Sequence, residues 1–190
     1  MFATMFTKRH PKAGARPGTL VIPKQAPTPK IRLISYTETD VEEVDVEAVG
    51  DLKKMLKAES VTWIDVQGFG DETLMHDIGG LFDLHPLLLE DVVNVPQRPK
   101  TEAYGDQLLV VVRMVHTNAP GQVDMEQLSI VFGQNYVLTF QERYGDVLDP
   151  VRRRIRVGKG PIRQHGADFL VYACLLYTSP SPRDRSAYLV

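Results

Sequence analysis

Hydrophobic and polar positions in the first third of the chain predict two strands. The segment between them begins with strand-like alternation and ends in a helical pattern. Residues 31–37 alternate in the manner of a strand, and residues 61–68 form a β-branched and aromatic run that ends at a glycine. Between them, residues 40–60 pass from alternating valines and acids into a helical pattern. Trp63 lies in the second strand, which has the profile of a buried strand, so we expect Trp63 in the core.

A helical period follows from Asp71, which is suited to cap the first turn of a helix. The apolar positions of this helix continue to Phe82, and the Gly79–Gly80 pair is expected to weaken or bend it. His76 lies in the same helix without a cysteine or second histidine at a metal-ligand spacing. A surface histidine is therefore favoured over a metal ligand.

The central part of the chain predicts three strands in succession, within residues 107–117 and 125–142. Turn-forming residues at 118–121 and 133–135 separate these strands. Short connections of this kind join neighbouring antiparallel strands, so the segment predicts an antiparallel meander.

Two further helices are predicted near the C-terminal end. Asp149, as a cap, and Pro150, at the first helical position, begin a helix over 149–156, and another helical pattern begins at 167–173. Because strand and helix segments alternate before the meander, the pattern predicts an α/β fold in which helices pack on a mixed sheet.

Residues 85–100 predict a short helix between prolines. Pro86 follows His85 and suits the first helical position, because its missing N–H and fixed φ are harmless there, and Pro96 blocks the helix. The apolar stripe of this helix consists of Leu88, Leu89, Val92 and Val93.

Glu90, Asp91 and Asn94 are predicted to project from the other side of this helix as a small oxygen-rich patch. Neighbouring carboxylates raise each other's proton affinity and are relieved by a cation, and oxygen ligands suit Mg²⁺. From the residues alone, a solvated helix face is favoured over a metal site, because one acid pair is a weak signal.

Composition restricts the possible classes of protein. With 190 residues and 43% hydrophobic positions the chain can bury a core. Its 24 acidic and 22 basic residues give no global field that would attract nucleic acid, and we expect no nucleic-acid partner. The single cysteine, Cys174, excludes an internal disulfide and points to a reducing compartment.

The N-terminal residues 1–16 are basic and lack the apolar run of a secretory signal, so we expect a flexible basic arm. No segment approaches the roughly 18 to 20 consecutive apolar residues that a membrane-spanning helix needs.

A run of basic residues forms the sharpest charge cluster: Arg152, Arg153, Arg154, Arg156, Lys159 and Arg163. Such a run could bind phosphates, but no aromatic residues interleave with it. A solvated helix face with local ion pairs, for example to the acidic stretch at 38–51, is the favoured interpretation. A nucleic-acid binder that uses this run is a further alternative.

Known catalytic signatures are missing. The sequence contains no nucleophile elbow, no Walker loop, no zinc-protease motif and no dinucleotide fingerprint. A soluble metal-dependent enzyme that uses Glu90 and Asp91 remains an alternative, because an enzyme can assemble its site from distant residues. It would require a cleft that gathers these acids with a further polar residue.

Residues 85–115, with the sequence HPLLLEDVVNVPQRPKTEAYGDQLLVVVRMV, resemble the cytosolic domain of the CorA family of magnesium and cobalt transport proteins. The segments at 17–21, 62–68, 126–142 and 145–156 follow the pattern of the family in the same order, so the resemblance covers roughly residues 17–173.

The resemblance implies an α/β/α sandwich on the cytoplasmic side of a pentameric channel in the cell inner membrane. It implies a regulatory site for Mg²⁺, with Co²⁺ as a possible second ion, between adjacent subunits. Asp91 corresponds to the acidic ligand of the family motif, and Glu90 is implied as a neighbouring contributor. Loss of the cation would favour opening of the channel.

The resemblance also implies a division of the chain. Residues 17–166 correspond to the cytosolic domain and 167–173 to the start of a stalk helix. Residues 174–190 depart from the family pattern, contain Pro180 and Pro182, and are expected to be a non-native tail. The transmembrane helices of the family would lie beyond this chain.

Overall fold

A computed structural model of the chain describes residues 11–23, 25–119, 122–145 and 147–178. The strands are β1 Lys30–Tyr36, β2 Val41–Val46, β3 Val61–Gln67, β4 Lys100–Tyr104, β5 Gln107–Ala119, β6 Gln122–Phe132 and β7 Tyr136–Gln141. The helices are α1 Val49–Met55, α2 Glu72–Phe82, α3 Pro86–Val93, α4 Asp149–Val157 and α5 Ala167–Thr178, with a 3₁₀ turn at Gly160–Arg163.

All seven strands form one open sheet in the order β2-β1-β3-β7-β6-β5-β4. Among the strands of the described residues, β3 and β7 pair in parallel and the other neighbours are antiparallel. The strands from β5 to β7 are the predicted meander, with the turn at 133–135 where the sequence placed it. The predicted turn at 118–121 lies partly outside the described residues.

Helices cover both faces of the sheet, which gives the α/β/α sandwich expected from the resemblance. The first core lies between one face and the helices α1 to α3, and it contains Leu33, Ile64 and Leu88. The second lies between the other face and α4 and α5. Trp63 belongs to this second core and is 1% exposed, which confirms its predicted core position.

Helix α2 follows the prediction closely. The carboxylate of Asp71 accepts a hydrogen bond from the backbone N–H of Leu74 at 2.9 Å and so caps the helix. His76 lies on the surface, as expected. The helix is continuous from Glu72 to Phe82 across the Gly79–Gly80 pair.

One local prediction needs correction, and two features were not predicted from the sequence. Asp149 does not cap α4, because Leu148 occupies the cap position, and the carboxylate of Asp149 instead lies 3.4 Å from Nη1 of Arg156. Strand β4 was not predicted, because it is an edge strand with little apolar alternation. Helix α5 begins in the predicted segment at Ala167 and continues to Thr178, and both Cys174 and Thr178 are buried.

A buried ion pair joins α4 to the two parallel strands. Nη2 of Arg152 lies 2.6 Å from Oδ2 of Asp65, and the two side chains are 1% and 3% exposed. Across the β3–β7 pairing, Thr139 and Gln141 donate hydrogen bonds to the other oxygen of Asp65 at 2.5 and 3.2 Å. The guanidinium also lies 5.3 Å from the ring centroid of Trp63. These protein groups therefore supply the hydrogen bonds that water would otherwise make to the buried carboxylate of Asp65.

We expect Arg152→Met to lower the free energy of unfolding by about 3 kcal/mol, because removing one partner of a buried pair leaves an uncompensated charge. Urea unfolding followed by circular dichroism measures this loss. Arg153→Met is the matched control, since Arg153 is exposed on the same helix, and a change within about 0.5 kcal/mol is expected. Equal losses in the two variants would contradict the structural role of the pair.

We expect the thiol of Cys174 to react with Ellman's reagent only as fast as the protein unfolds. Its side chain is fully buried, and burial raises the pKa of the thiol and so suppresses the reactive thiolate. As a control, Tyr172→Cys in a Cys174→Ser background should react rapidly, because Tyr172 is 54% exposed. Comparable rates at the two positions would show that α5 is not packed beyond residue 173.

Candidate functional site

Helix α3 carries the predicted acid pair and begins as the sequence indicates. Pro86 lies in the first turn of the helix, and Nδ1 of His85 accepts a hydrogen bond from the backbone N–H of Leu87 at 3.2 Å. The helix ends at Val93, before Pro96. All four residues of the predicted apolar stripe are buried: Leu88, Leu89, Val92 and Val93.

A close contact with α2 fixes the depth at which α3 is packed. A methyl group at Gly79 would lie 2.5 Å from Cδ1 of Leu89, whereas one at Gly80 would meet no atom within 4 Å. The glycine pair that was predicted to weaken α2 thus provides, at Gly79, the space that Leu89 occupies.

The C-terminal end of α3 is held to the sheet by Gln127 of β6, which is 3% exposed. Its Nε2 donates to the backbone carbonyl of Asp91 at 3.2 Å, and its Oε1 accepts from the backbone N–H of Gln97 at 2.7 Å. Arg113 of β5 donates to the carbonyl of Gln97 as well. These bonds fix the backbone that presents the side chain of Asp91.

Glu90 contacts the segment that precedes the sheet. Its Oε2 accepts a hydrogen bond from the backbone N–H of Gly18 at 2.6 Å. Gly18 has φ +81°, and a methyl group there would lie 2.8 Å from Cβ of Pro86, so this close approach requires glycine. Residues 1–10 of the predicted basic arm lie outside the described residues.

Asp91 faces a different set of partners on the edge strand β4. Its Oδ2 lies 2.7 Å from Nζ of Lys100 and 3.4 Å from the hydroxyl of Tyr104. Oε2 of Glu102 lies 3.0 Å from the same Nζ and 2.9 Å from the same hydroxyl. Two carboxylates therefore share one ammonium and one phenol, and the ring of His85 stacks on that of Tyr104 at 5.4 Å between centroids.

The shared partners shift the titration of the groups on β4. Hydrogen bonds from Lys100 and then Tyr104 hold the pKa of Glu102 below its usual value. Partial burial lowers the pKa of Lys100, but the bonds to Asp91 and Glu102 outweigh it, so the net shift is upward. Burial, followed by Glu102, raises the pKa of Tyr104. Near neutral pH the cluster therefore contains a protonated lysine and a neutral tyrosine.

The structure divides the predicted oxygen-rich patch. Glu90 and Asp91 bind separate partners, and Asn94 does not project beside them, because it caps α3 at its C-terminal end and is 2% exposed. Glu102, which the sequence did not single out, joins Asp91 instead. The spacing of Lys100, Glu102 and Tyr104 at every second residue would have indicated a common face had β4 been recognised as a strand.

The donor chemistry around Asp91 suits a hard divalent cation in part. Two carboxylates lie within 3.0 Å of one positive group, and Mg²⁺ in proteins takes one or two carboxylates and keeps several waters. Within the described residues, however, no group of three or more His, Cys, Asp or Glu side chains is arranged to hold a metal. The chain thus supplies part of a coordination shell.

One cleft among the described residues bears on the enzyme alternative, which requires a cleft that gathers the acid pair. A cleft of about 410 Å³ lies beside the beginning of β3 and β7 and is lined by residues that include Lys57, Asp83 and Tyr136. Neither Glu90 nor Asp91 lines this cleft.

Three of the six residues of the basic run form side-chain contacts within the fold. Arg156 makes two hydrogen bonds to Glu43 of β2, at 2.6 and 2.7 Å, which confirms the expected ion pairing with the acidic stretch and lowers the pKa of Glu43. Arg163 donates to the backbone carbonyls of Ile155 and Arg156. Arg152 is buried against Asp65 and so does not belong to a solvated face.

Comparison with known proteins shows which protein family this chain matches. Residues 58–175 match the family model described as "CorA-like Mg2+ transporter protein". The chain is 36% identical over 166 residues to the cobalt/magnesium transport protein CorA of Thermotoga maritima, a match that covers 86% of this chain and 47% of that protein. The chain therefore spans about half the length of the curated relative that it matches.

Solved structures share the fold at low sequence identity. The complete CorA magnesium transporter of Methanocaldococcus jannaschii superposes with a TM-score of 0.60 at 14% identity, over 77% of this chain and 44% of that one. The ZntB cytoplasmic domain of Vibrio parahaemolyticus superposes with a TM-score of 0.54 at 15% identity, over 78% of this chain and 57% of that one.

The fold and the matches together define an α/β domain of the kind that these CorA and ZntB structures share. The chain belongs to the CorA family. In the part of the chain that the structure describes, no helix has the length and apolar character needed to cross a bilayer.

The packing of α3 on α2 predicts opposite effects at the two adjacent glycines. Gly79→Ala is expected to lower the free energy of unfolding by about 1 kcal/mol, because the added methyl group displaces Leu89 in the core. Gly80→Ala should raise it by about 0.5–1 kcal/mol through helix propensity, since nothing obstructs the methyl group. Urea titration of both variants measures the difference, and stabilisation of similar size at both positions would contradict the contact.

Proposed function

We propose that this chain is the metal-sensing cytosolic domain of a divalent-cation transporter that carries Mg²⁺ and Co²⁺. The observation that carries the proposal is the 36% identity, over 86% of the chain, to the cobalt/magnesium transport protein CorA of Thermotoga maritima. In this proposal the domain lies on the cytoplasmic side of the inner membrane. The membrane-spanning part belongs to the half of the relatives that this chain does not match.

Asp91 is the principal ligand of the proposed regulatory cation. Its side chain is 20% exposed, so it can reach both the protein and the solvent, and its backbone is held to the sheet by Gln127. A partly exposed carboxylate on a fixed backbone can bind a hydrated Mg²⁺ while the ion keeps most of its waters. In the proposed regulatory role, a short rigid helix makes the ligand position independent of loop motion.

Glu90 is the neighbouring contributor. Its carboxylate accepts a hydrogen bond from the backbone N–H of Gly18 through Oε2, so Oε1 can accept a hydrogen bond from metal-bound water. Direct coordination by the bonded oxygen would require release of the N–H of Gly18. We therefore assign Glu90 a supporting role through water and Asp91 the direct contact.

A second copy of the chain completes the site. The described residues bring together two carboxylates at Asp91 but no group of three ligands, so the remaining oxygens come from an adjacent subunit of a homo-oligomer, a pentamer in the proposal. A cation that binds better to the packed subunits than to the separated ones shifts the population toward the packed, closed state. Loss of the cation then favours opening, and the single chain alone binds the ion weakly.

Asp91→Asn tests this assignment, because it retains the shape of the side chain and removes its charge. We expect the affinity of the purified chain for MgCl₂ and CoCl₂, measured by isothermal titration calorimetry, to fall by about tenfold, which corresponds to about 1.4 kcal/mol. Asp77→Asn is the matched control, since Asp77 is an exposed aspartate on α2, and its affinity should equal that of the original chain.

Equal affinities of the Asp91→Asn and Asp77→Asn variants would remove Asp91 from the site. Circular dichroism of both variants at the titration temperature establishes that each is folded. The exchange Asp91→Asn removes one of the two carboxylate partners of Lys100 and leaves Glu102, so only a small change in stability is expected.

A further inference from the structure

Lys100 occupies the position in which the proposed site would hold a cation. Its Nζ lies 2.7 Å from Asp91 and 3.0 Å from Glu102, and Tyr104 donates toward the same two oxygens. The side chain of Lys100 is 25% exposed and that of Asp91 is 20% exposed, so the contact is only partly open to solvent. The two carboxylates are thus already arranged around a positive charge that belongs to the chain itself.

A divalent cation and the ammonium cannot use these oxygens together. Both need the Oδ2 side of Asp91, and two cations placed a few ångströms apart in a partly desolvated site repel each other strongly. The oxygens released by one cation are those required by the other. Binding at Asp91 is therefore an exchange of cations.

The structure allows Lys100 to leave without disturbing the sheet. Lys100 is the first residue of the edge strand β4, and its backbone is paired with Val111 of β5 on one side only. Its flexible four-carbon stem can turn toward solvent while the strand stays in register. In contrast, Asp91 is fixed through Gln127, so the lysine is the mobile partner of the pair.

We propose that Lys100 is a built-in competitor that neutralises Asp91 and Glu102 when the divalent cation is absent and must be displaced for the cation to bind. This inference rests on the proposed function, since it describes regulation of the same site, and it adds Glu102 as a second ligand. The apparent affinity for the divalent cation is the intrinsic affinity multiplied by the fraction of molecules in which Lys100 has left the site. The competition therefore lowers the apparent affinity. It thereby sets the concentration at which the sensor responds.

The first test removes the charge of Lys100 and keeps most of its stem. In titrations of the purified chain with MgCl₂ and CoCl₂, Lys100→Met is expected to bind about tenfold more tightly than the original chain. Lys57→Met is the matched control, because Lys57 makes a similar 2.7 Å contact with Glu42 on the opposite edge strand. Its affinity should not change, and adding Asp91→Asn to Lys100→Met should abolish the gain.

The second test uses the unaltered chain and so does not depend on the folding of a variant. Acetylation of lysines, quantified by mass spectrometry of peptides, is expected to increase at Lys100 when MgCl₂ is added, because the displaced ammonium becomes accessible. The labelling of Lys57 should stay constant. A Mg²⁺-induced decrease, or no change, at Lys100 under saturating MgCl₂ would overturn the exchange.

The outcomes separate this inference from the proposed function. If Asp91→Asn weakens binding of the divalent cation but Lys100→Met does not strengthen it, the proposed competition by Lys100 is wrong and the proposed metal site at Asp91 is retained. If binding in every variant is independent of Asp91, both are wrong. If Lys100→Met binds more tightly and Lys100 labelling rises with MgCl₂, the ammonium is the internal competitor.

Discussion

The burial of helix α3 against the sheet is the constraint on which the candidate site depends. One face of this helix is inserted beside α2, where Gly79 leaves room for Leu89, and its end is fastened to β6 by Gln127. Because that face is buried, the opposite face must carry the polar residues, and Asp91 lies against β4. The acid is thus positioned by packing, and its chemistry follows from the neighbours that packing supplies.

Much of the fold could be predicted because its signals are local. Alternation marked β1, a β-branched and aromatic run marked β3, and turn residues separated β6 from β7. Asp71 caps α2 as predicted. The missed features depend on tertiary contacts. Strand β4 is largely polar because it lies at an edge. Helix α4 begins one residue earlier than the predicted cap implies, so Leu148 occupies the cap position and the carboxylate of Asp149 contacts Arg156.

The sequence indicated the acid pair of the candidate site but not the partners that contact Asp91. The acid pair could be found because Glu90 and Asp91 are adjacent, but adjacency in a helix does not make two side chains share a partner. Lys100 follows Asp91 by only nine residues, but Lys100 and Glu102 become neighbours of Asp91 only when β4 folds back beside α3. Likewise, Arg152 was grouped with surface arginines, whereas its partner Asp65 lies 87 residues away.

The central claim is that a divalent cation binds this chain at Asp91, beside β4. The most direct measurement is paramagnetic broadening of backbone amide signals by substoichiometric MnCl₂ in the purified chain. We expect the broadening to be strongest at Asp91 and at residues 100–104. Broadening centred instead on the acidic residues of β2, Glu42, Glu43 and Asp45, would contradict it, because the cation would then be responding to surface charge alone.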